Sequence, residues 1–140
     1  MIYLAQTDTT AGFLSKDLRK INAIKARLVD KPCLIATAKF SELNKLVRVP
    51  NRYKNFVRKA KKTTFLYPNK RAIRVVKNCE HEKFLLQFDW LYSTSANLHG
   101  LKFDENWAKS VVDIIVDKQL FEGKSSKMYK ISHRKLLKIR

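Results

Sequence analysis

The chain has 140 residues, 45% of them hydrophobic, and a formal charge of +18 from 30 Lys and Arg against 12 Asp and Glu. This composition supports a hydrophobic core and excludes a low-complexity tail, and no run of 18 apolar residues predicts a membrane span. The two cysteines, Cys33 and Cys79, lack zinc-ligand spacing, and the first residues show no signal-peptide pattern. We therefore predict a reduced, cytoplasmic protein that folds as a single domain over residues 1–140.

The hydrophobic pattern predicts that helices and strands alternate along the chain. The predicted strands span residues 2–6, 32–37, 63–67, 72–76, 90–94, 127–131 and 136–139. The first predicted helix is capped by Ser15 and has about a dozen residues. The other predicted helices span residues 42–47, 51–60, 80–88 and 106–110. Residues 111–116 fit either a helix end or a strand. The alternation predicts a three-layer α/β domain around a mixed sheet.

The positive charge is concentrated in two stretches that contain no acidic residue. Twelve Lys or Arg lie between Leu43 and Cys79, and seven more lie in residues 123–140. A polyanion is the expected partner, because its binding releases condensed counterions; the alternative is a merely solvated surface. The cations predicted to contact the polyanion are Arg52, Arg58, Lys59, Lys61, Lys62, Lys70 and Arg71.

Aromatic and histidine side chains are open to ordinary structural interpretations. Four aromatic residues interleave the first basic stretch, where they either stack on nucleic-acid bases or pack into the core. These residues are Tyr53, Phe56, Phe65 and Tyr67. We interpret His81 and His133 as surface residues, and Trp90 and Trp107 as part of the core.

Three polar stretches differ from ordinary loops. Residues 7–12, Thr-Asp-Thr-Thr-Ala-Gly, follow the first strand and suit the close approach of a ligand, or else form a capping turn. Lys25 and Arg27 end the first helix, where two cations either neutralise a triphosphate or carbonate or simply favour the helix C-terminus. Residues 93–100 leave a strand with three hydroxyls and an amide, which are donors for phosphate oxygens or ligands for a metal ion.

Together the three stretches resemble the YrdC-like family, the threonylcarbamoyl-AMP synthases. The family motifs PTDTxYGL, KGRPxxxPL, TSANxSG and PST correspond here to Gln6–Phe13, Lys25–Pro32, Thr94–Gly100 and Lys124–Ser126. The resemblance implies a twisted mixed sheet with a basic concave cleft. It also implies synthesis of threonylcarbamoyl-AMP from L-threonine, bicarbonate and ATP with Mg²⁺. The product would serve tRNA threonylcarbamoyladenosine modification through partner proteins of the threonylcarbamoyl-transfer complex.

The resemblance assigns roles to individual residues. The catalytic positions, which hold ATP phosphates and the carboxylating species, are Lys25, Arg27, Ser95 and Asn97. The substrate-binding positions are Thr7, Thr9, Lys31 and Thr94, and the nucleotide-binding positions are Arg74 and Ser125. No residue is assigned to a metal ion. The polyanion expected from the charge becomes tRNA or double-stranded RNA.

The sequence departs from the family pattern at several motif positions. Gln6 replaces the Pro before TDT, and Ala11 replaces the Tyr that helps to wall the threonine site. Ala26 and Leu28 replace the Gly and Pro of KGRP. Two function classes therefore stay open: an adenylate-forming enzyme of tRNA modification, and a non-catalytic paralogue that binds RNA and nucleotide.

Overall fold

The computed structural model describes every residue from Met1 to Arg140 and has the predicted mixed α/β character. The strands are β1 (Tyr3–Gln6), β2 (Ala11–Ser15), β3 (Leu34–Thr37), β4 (Thr63–Leu66), β5 (Ala72–Val75), β6 (Leu91–Ser95), β7 (Ile114–Ile115), β8 (Lys127–Ile131) and β9 (Leu136–Lys138). The helices are α1 (Leu18–Ile24), α2 (Phe40–Leu46), α3 (Lys54–Lys59), α4 (Glu80–Leu85) and α5 (Glu105–Ser110), with a 3₁₀ turn at Asn51–Tyr53. None of these helices has the length and apolar character needed to cross a membrane.

The chain divides into two compact units. Unit 1 comprises Met1–Cys33 and Leu91–Ser125, and unit 2 comprises Leu34–Trp90 and Ser126–Arg140. Each unit contains both parallel and antiparallel strand pairs, so the mixed character of the sheet is confirmed in both. The expectation of a single domain over residues 1–140 stays a prediction.

Unit 1 orders its strands β7-β1-β2-β6. The β1–β2 pair is antiparallel and is closed by the loop at residues 7–10, and β2 pairs antiparallel with β6 so that Gly12 faces Ser95. Its core contains Leu4 and Phe13, and Trp107 from α5 packs edge-on against the Phe13 ring at a centroid distance of 5.8 Å. The C-terminal ends of β1 and β6 therefore lie in the same part of unit 1.

The loop predicted after the first strand is present at residues 7–10, but the prediction was wrong over residues 11–17, where the end of that loop and the start of a helix were expected. Ala11–Ser15 is a strand, and α1 begins only at Leu18, with the Asp17 carboxylate accepting from the Lys20 amide at 3.2 Å. Ser15 is not the N-cap, because it lies in β2, where its hydroxyl donates to the Met1 carbonyl at 2.8 Å and accepts from the Asp17 amide at 3.0 Å, ahead of the first helical residue. All five residues of β2 are buried, so the strand lacks the polar–apolar alternation that marks a half-exposed strand.

Unit 2 orders its strands β3-β5-β4-β8-β9. The predicted β4–β5 hairpin is confirmed, and β8 pairs parallel with β4. Phe65 and Tyr67 are buried and therefore belong to the core. Phe56 of α3 meets Phe65 and Tyr129 at ring-centroid distances of 5.8 and 5.4 Å while 42% of its surface stays exposed.

The interpretation of His81 as a surface residue was wrong, because the side chain is only 4% exposed. Its helix, α4, buries the face that carries His81 and Leu85, four residues apart and therefore on one side of the helix. The His81 ring stacks on Phe84, and neither ring nitrogen has a hydrogen-bond partner. Burial, with the nearby positive charge of Arg74, lowers the pKa of His81 to about 4.

Candidate functional site

The loop between β1 and β2 is held together by the hydroxyl of Thr7. This hydroxyl donates to the Thr10 carbonyl at 2.6 Å and accepts from the amides of Thr9 and Thr10, both at 3.2 Å. A Cβ at Gly12 would lie 2.8 Å from Thr7 Cγ2 and 3.1 Å from the Thr94 carbonyl oxygen. The missing side chain at Gly12 thus lets Thr7 and Thr94, two predicted substrate-binding residues, approach the same point.

Lys25, at the C-terminal end of α1, joins this helix to the loop after β6. Its ammonium group donates to the Ser95 carbonyl at 2.7 Å, to the Asn97 carbonyl, and to Asn97 Oδ1 at 3.2 Å. The Ser95 hydroxyl donates to the same Asn97 Oδ1. Three residues predicted to be catalytic therefore form one hydrogen-bonded cluster, although Lys25 and Ser95 are 70 positions apart in sequence.

The ammonium of Lys25 has all three of its N–H donors engaged within the chain. The side chain is 2% exposed, and its burial, together with the positive charge of Arg27, lowers its pKa to about 8. The Asn97 amide nitrogen donates to the carbonyls of Leu98 and Leu101, so the Asn97 side chain is also fully engaged. Lys25 is consequently a buried, positively charged residue that links the end of α1 to the loop after β6.

Arg27 lies two residues beyond Lys25 and has a different environment. Its Nε donates to Asn22 Oδ1 at 2.7 Å and its Nη2 contacts Cys33 Sγ at 2.8 Å. Burial raises the pKa of the Cys33 thiol, against the opposing charges of Arg27 and Lys25, so at neutral pH this thiol is protonated. Sequence reasoning did not identify Asn22 or Cys33 as partners of Arg27.

The backbone between the two cations has an unusual conformation. Ala26 adopts φ 55°, the left-handed region that favours glycine. This is the position at which the KGRP motif has Gly, so the chain makes a glycine-type turn with alanine. The turn separates Lys25, which points to the loop after β6, from Arg27, which points to Asn22 and Cys33.

A segment that the sequence analysis did not single out lies against the β1–β2 loop. The amide of Phe121 donates to Gln6 Oε1 at 2.9 Å, and its carbonyl accepts from the Ala11 amide at 3.0 Å. The amide of Gly123 donates to the Thr10 hydroxyl at 3.0 Å, and a Cβ there would lie 1.9 Å from the Thr9 carbonyl oxygen. The one sequence signal for this contact is a glycine in a charged, irregular stretch.

The other predicted ligand-binding residues occupy different places. Lys31 is exposed, and its carbonyl accepts from the Asn22 amide at 3.0 Å. Ser125 is an exposed residue of unit 1. Its neighbour Ser126 is buried in unit 2, where its hydroxyl is 2.9 Å from the Thr64 hydroxyl. Arg74 is a buried residue of β5, also in unit 2.

The seven cations predicted to bind RNA all lie in unit 2 and are all exposed. Strand pairing brings the second basic stretch beside the first: the Lys127 amide donates to the Lys62 carbonyl at 3.0 Å, and Arg52 Nη1 donates to the Arg134 carbonyl at 3.4 Å. Unit 2 holds 20 Lys and Arg against 4 Asp and Glu, a formal charge of +16, whereas unit 1 holds 10 against 8, a formal charge of +2. Almost all the excess charge therefore belongs to unit 2.

Comparison with known proteins relates the chain to solved structures. No protein-family model and no curated protein matches the sequence. A crystal structure of Sua5 from P. abyssi complexed with L-threonine matches 99% of this chain with a TM-score of 0.82 and 19% identity. The chain spans about half of that protein, 49% of its length.

Two further solved structures have a similar fold. E. coli YciO matches 99% of this chain at a TM-score of 0.75 and 19% identity, and 82% of its own length is covered. MTH1692 from Methanobacterium thermoautotrophicum matches 99% at a TM-score of 0.71 and 18% identity, with 79% of its length covered. At these identities the likeness is one of fold, and the fold of this chain is YrdC-like.

Proposed function

We propose that the protein catalyses the ATP-dependent synthesis of threonylcarbamoyl-AMP from L-threonine and bicarbonate. The observation that carries the proposal is the hydrogen-bonded cluster of Lys25, Ser95 and Asn97, which unites two of the motif segments behind the family resemblance. The fold is also shared with a protein that was crystallised with L-threonine. The cluster lies in unit 1, where the hydroxyl-rich loops lie as well, and the shared fold extends over 99% of the chain.

The proposed reaction has two bond-forming steps. The threonine nitrogen bonds to the bicarbonate carbon and water leaves, which gives a carbamate. A carbamate oxygen then attacks the α-phosphorus of ATP, and pyrophosphate leaves. No covalent enzyme intermediate is needed, so the contribution of the protein is to position the reactants and to stabilise the oxygens on which negative charge develops.

Arg27 is the residue we assign to the phosphate chain, because its Nη1 has no partner within the chain and retains its N–H donors. Lys25 holds the loop of Ser95 and Asn97 in place and contributes positive charge. Thr7, Thr9, Thr94 and Lys31 are proposed to line the threonine end. Arg74 and Ser125 keep the nucleotide-side role that the family resemblance gives them.

Magnesium enters this proposal as a companion of ATP. No group of three or more His, Cys, Asp or Glu side chains gathers in the chain to form a protein cage for a cation. Mg²⁺ binds readily through substrate phosphates while it keeps several water ligands. The ion is therefore proposed to arrive with the triphosphate, and no residue is assigned to it.

The exposed cations of unit 2 are proposed to bind tRNA or double-stranded RNA. A formal charge of +16 on this unit favours a polyanion in a salt-dependent manner. Partner proteins of the threonylcarbamoyl-transfer complex would then use the product. The same charge supports a second candidate function, a non-catalytic module that binds RNA and nucleotide. In such a module Arg27 would bind the nucleotide and would have no part in catalysis.

Pyrophosphate release by the purified protein tests the proposal. ATP and Mg²⁺ are supplied with and without L-threonine and bicarbonate, and we expect release only when both are present. Arg27→Ala should lower the rate by about 100-fold or more, the range seen when a fixed donor to a developing charge is removed. Arg19→Ala on the exposed surface of α1 is the matched control and should keep the rate.

Two results would decide against the enzyme. Pyrophosphate release that ignores threonine would remove the proposed reaction. No release at all, together with ATP or tRNA binding that survives, would leave the non-catalytic RNA-binding module as the function of the isolated chain. Repeating the assay with partner proteins added separates an inactive chain from one that needs a complex.

A further inference from the structure

Asn22 is a polar side chain that α1 carries into the interior of unit 1. It is 0% exposed, and both ends of its amide are hydrogen-bonded. Oδ1 accepts from Arg27 Nε at 2.7 Å and from Cys33 Sγ at 3.9 Å, while Nδ2 donates to the carbonyls of Val29 and Lys31, both at 3.0 Å. A buried amide is costly unless its hydrogen bonds are made, so this set of bonds constrains all the groups that share it.

These bonds restrain a loop that has little apolar packing of its own. Leu28 and Val29 are 77% and 58% exposed, so residues 27–31 are not held by a hydrophobic face. The Arg27 amide also donates to the Asn22 carbonyl at 3.1 Å. Asn22 therefore contacts the loop at its beginning, middle and end, and it does so entirely through polar groups.

The same bonds fix the direction of the Arg27 guanidinium. The group is planar and carries five N–H donors in a fixed fork. Nε is held by Asn22 and Nη2 by Cys33, and Nη1 makes no hydrogen bond within the chain. Because two corners of a rigid plane are held, the direction of the third is set before any ligand arrives.

We propose that Asn22 is a positioning residue that aims the free edge of Arg27 at an anionic ligand of the phosphate class. The inference rests on the proposed function for the identity of that ligand, the phosphate chain of a nucleotide. Asn22 lies outside every motif segment that carries the family resemblance. Its role follows from its burial and from the side-chain hydrogen bonds it makes.

The first test needs no ligand. In the full-length protein, the Arg27 Nε–H group should give a distinct NMR signal that exchanges slowly with solvent, because it is hydrogen-bonded and partly buried. Asn22→Leu has a similar volume and no acceptor, and should speed this exchange by 10-fold or more. Asn22→Asp keeps an oxygen for Arg27 Nε and should keep the slow signal, which also serves if the leucine variant fails to fold. Unchanged exchange in Asn22→Leu would overturn the proposal.

The second test measures the ligand. ATP with Mg²⁺, and inorganic pyrophosphate as a shorter probe, are titrated into the wild-type protein and the variants. We expect Asn22→Leu to raise the dissociation constant about 10-fold and Asn22→Asp to restore most of the affinity. In an Arg27→Ala background, Asn22→Leu should add nothing further, because the two residues act through one contact.

The outcomes separate this inference from the proposed function. Wild-type protein that binds neither probe would remove the proposed function and the ligand half of the inference, while the NMR signal still decides the Asn22–Arg27 contact. Probe binding that is equally tight in wild type and Asn22→Leu would overturn the positioning role and leave the proposed function standing. Additive losses in the double variant would show that Asn22 acts on the loop and not through Arg27.

Discussion

Units 1 and 2 place their positive charges in different ways. Unit 1 has a formal charge of only +2, and its two cations of interest, Lys25 and Arg27, are engaged by carbonyls, an amide and a thiol. Unit 2 has +16, carried mainly by exposed side chains. The charge of the whole chain therefore says little about the candidate nucleotide site. There, the fixed positions of Lys25 and Arg27 matter more than the number of cations.

The largest expected effect comes from neutralising unit 2. The triple variant Arg58→Gln, Lys61→Gln, Lys62→Gln should lower the affinity for double-stranded RNA about 100-fold at low salt. The slope of log K against log salt should become shallower by about 0.9 for each phosphate that the variant no longer neutralises. Filter binding or fluorescence anisotropy across a salt series measures both quantities.

The matched control neutralises one arginine and two lysines of unit 1, which are also exposed: Arg19, Lys20 and Lys102. If this variant loses as much affinity for RNA as the unit 2 variant, the assignment of RNA binding to unit 2 is wrong. Pyrophosphate release should be unchanged in both variants.

Gly123→Ala should break the contact that Phe121 and Gly123 make with the β1–β2 loop. The added carbon would meet the Thr9 carbonyl at 1.9 Å, and a backbone atom cannot swing aside as a side chain can. We expect the free energy of unfolding to fall by about 2–3 kcal/mol, the upper part of the range for overpacking. Urea denaturation measures this loss, and amide exchange should rise at residues 7–12 while unit 2 is unaffected.

Gly100→Ala is the control for that substitution. Nothing lies within 4 Å of a Cβ at Gly100, so the only cost is its φ of 80°, about 1 kcal/mol. Equal losses at the two glycines would mean that backbone conformation, and not the contact with Thr9, explains the effect.

His81→Phe should stabilise unit 2. It removes two buried nitrogens that lack partners and keeps an aromatic ring on Phe84, and we expect a gain of about 1–2 kcal/mol. The gain should grow in acid. The pKa of His81 is about 4 in the folded protein and 6.5 in the unfolded chain, so the wild type loses stability as the pH falls from 6.5 towards 4.

Urea denaturation at pH 7 and pH 5 measures both parts of this prediction. His133→Phe, at an exposed position of unit 2, should leave the pH dependence as it is in the wild type. A His81→Phe variant with the same acid sensitivity as the wild type would contradict the buried, neutral state of His81.

The smallest expected effect concerns Ala26. Its φ of 55° disfavours a residue with a Cβ, so Ala26→Gly should stabilise unit 1 by up to about 1 kcal/mol. Ala23→Gly, at an exposed position inside α1, should do the opposite by a similar amount. Thermal unfolding of both variants measures the pair, and a loss of stability in both would show that the turn does not favour glycine.

The sequence predicted much of the fold because most elements have a clear hydrophobic pattern and turn residues. The β4–β5 hairpin, with Pro68 and Asn69 in its turn, and the final strands β8 and β9 are examples. It failed at β2 because a strand buried on both faces has no alternation to detect. It failed at His81 because a histidine on a buried helix face looks the same in sequence as one on an exposed face.

The candidate site was predictable only in part. The motif resemblance assigned Lys25, Ser95 and Asn97 to one catalytic site, and the three residues are hydrogen-bonded to one another in the structure. The partners of these residues were not predictable, because Lys25 bonds mainly to backbone carbonyls and every residue has one. Asn22 escaped for a related reason: an asparagine inside a helix carries no sequence signal of the loop it will hold.

The saturation of Lys25 turns ligand binding at this cation into an exchange. A phosphate that recruits the ammonium must replace a carbonyl or amide oxygen that already occupies it, so the number of hydrogen bonds does not increase. What the newcomer adds is formal negative charge, which a carbonyl lacks and which strengthens a bond to an ammonium group. A group with little charge gains nothing from the swap. If Lys25 takes part in nucleotide binding as proposed, its selection would be by ionic charge, and a triphosphate would have the advantage over a monophosphate.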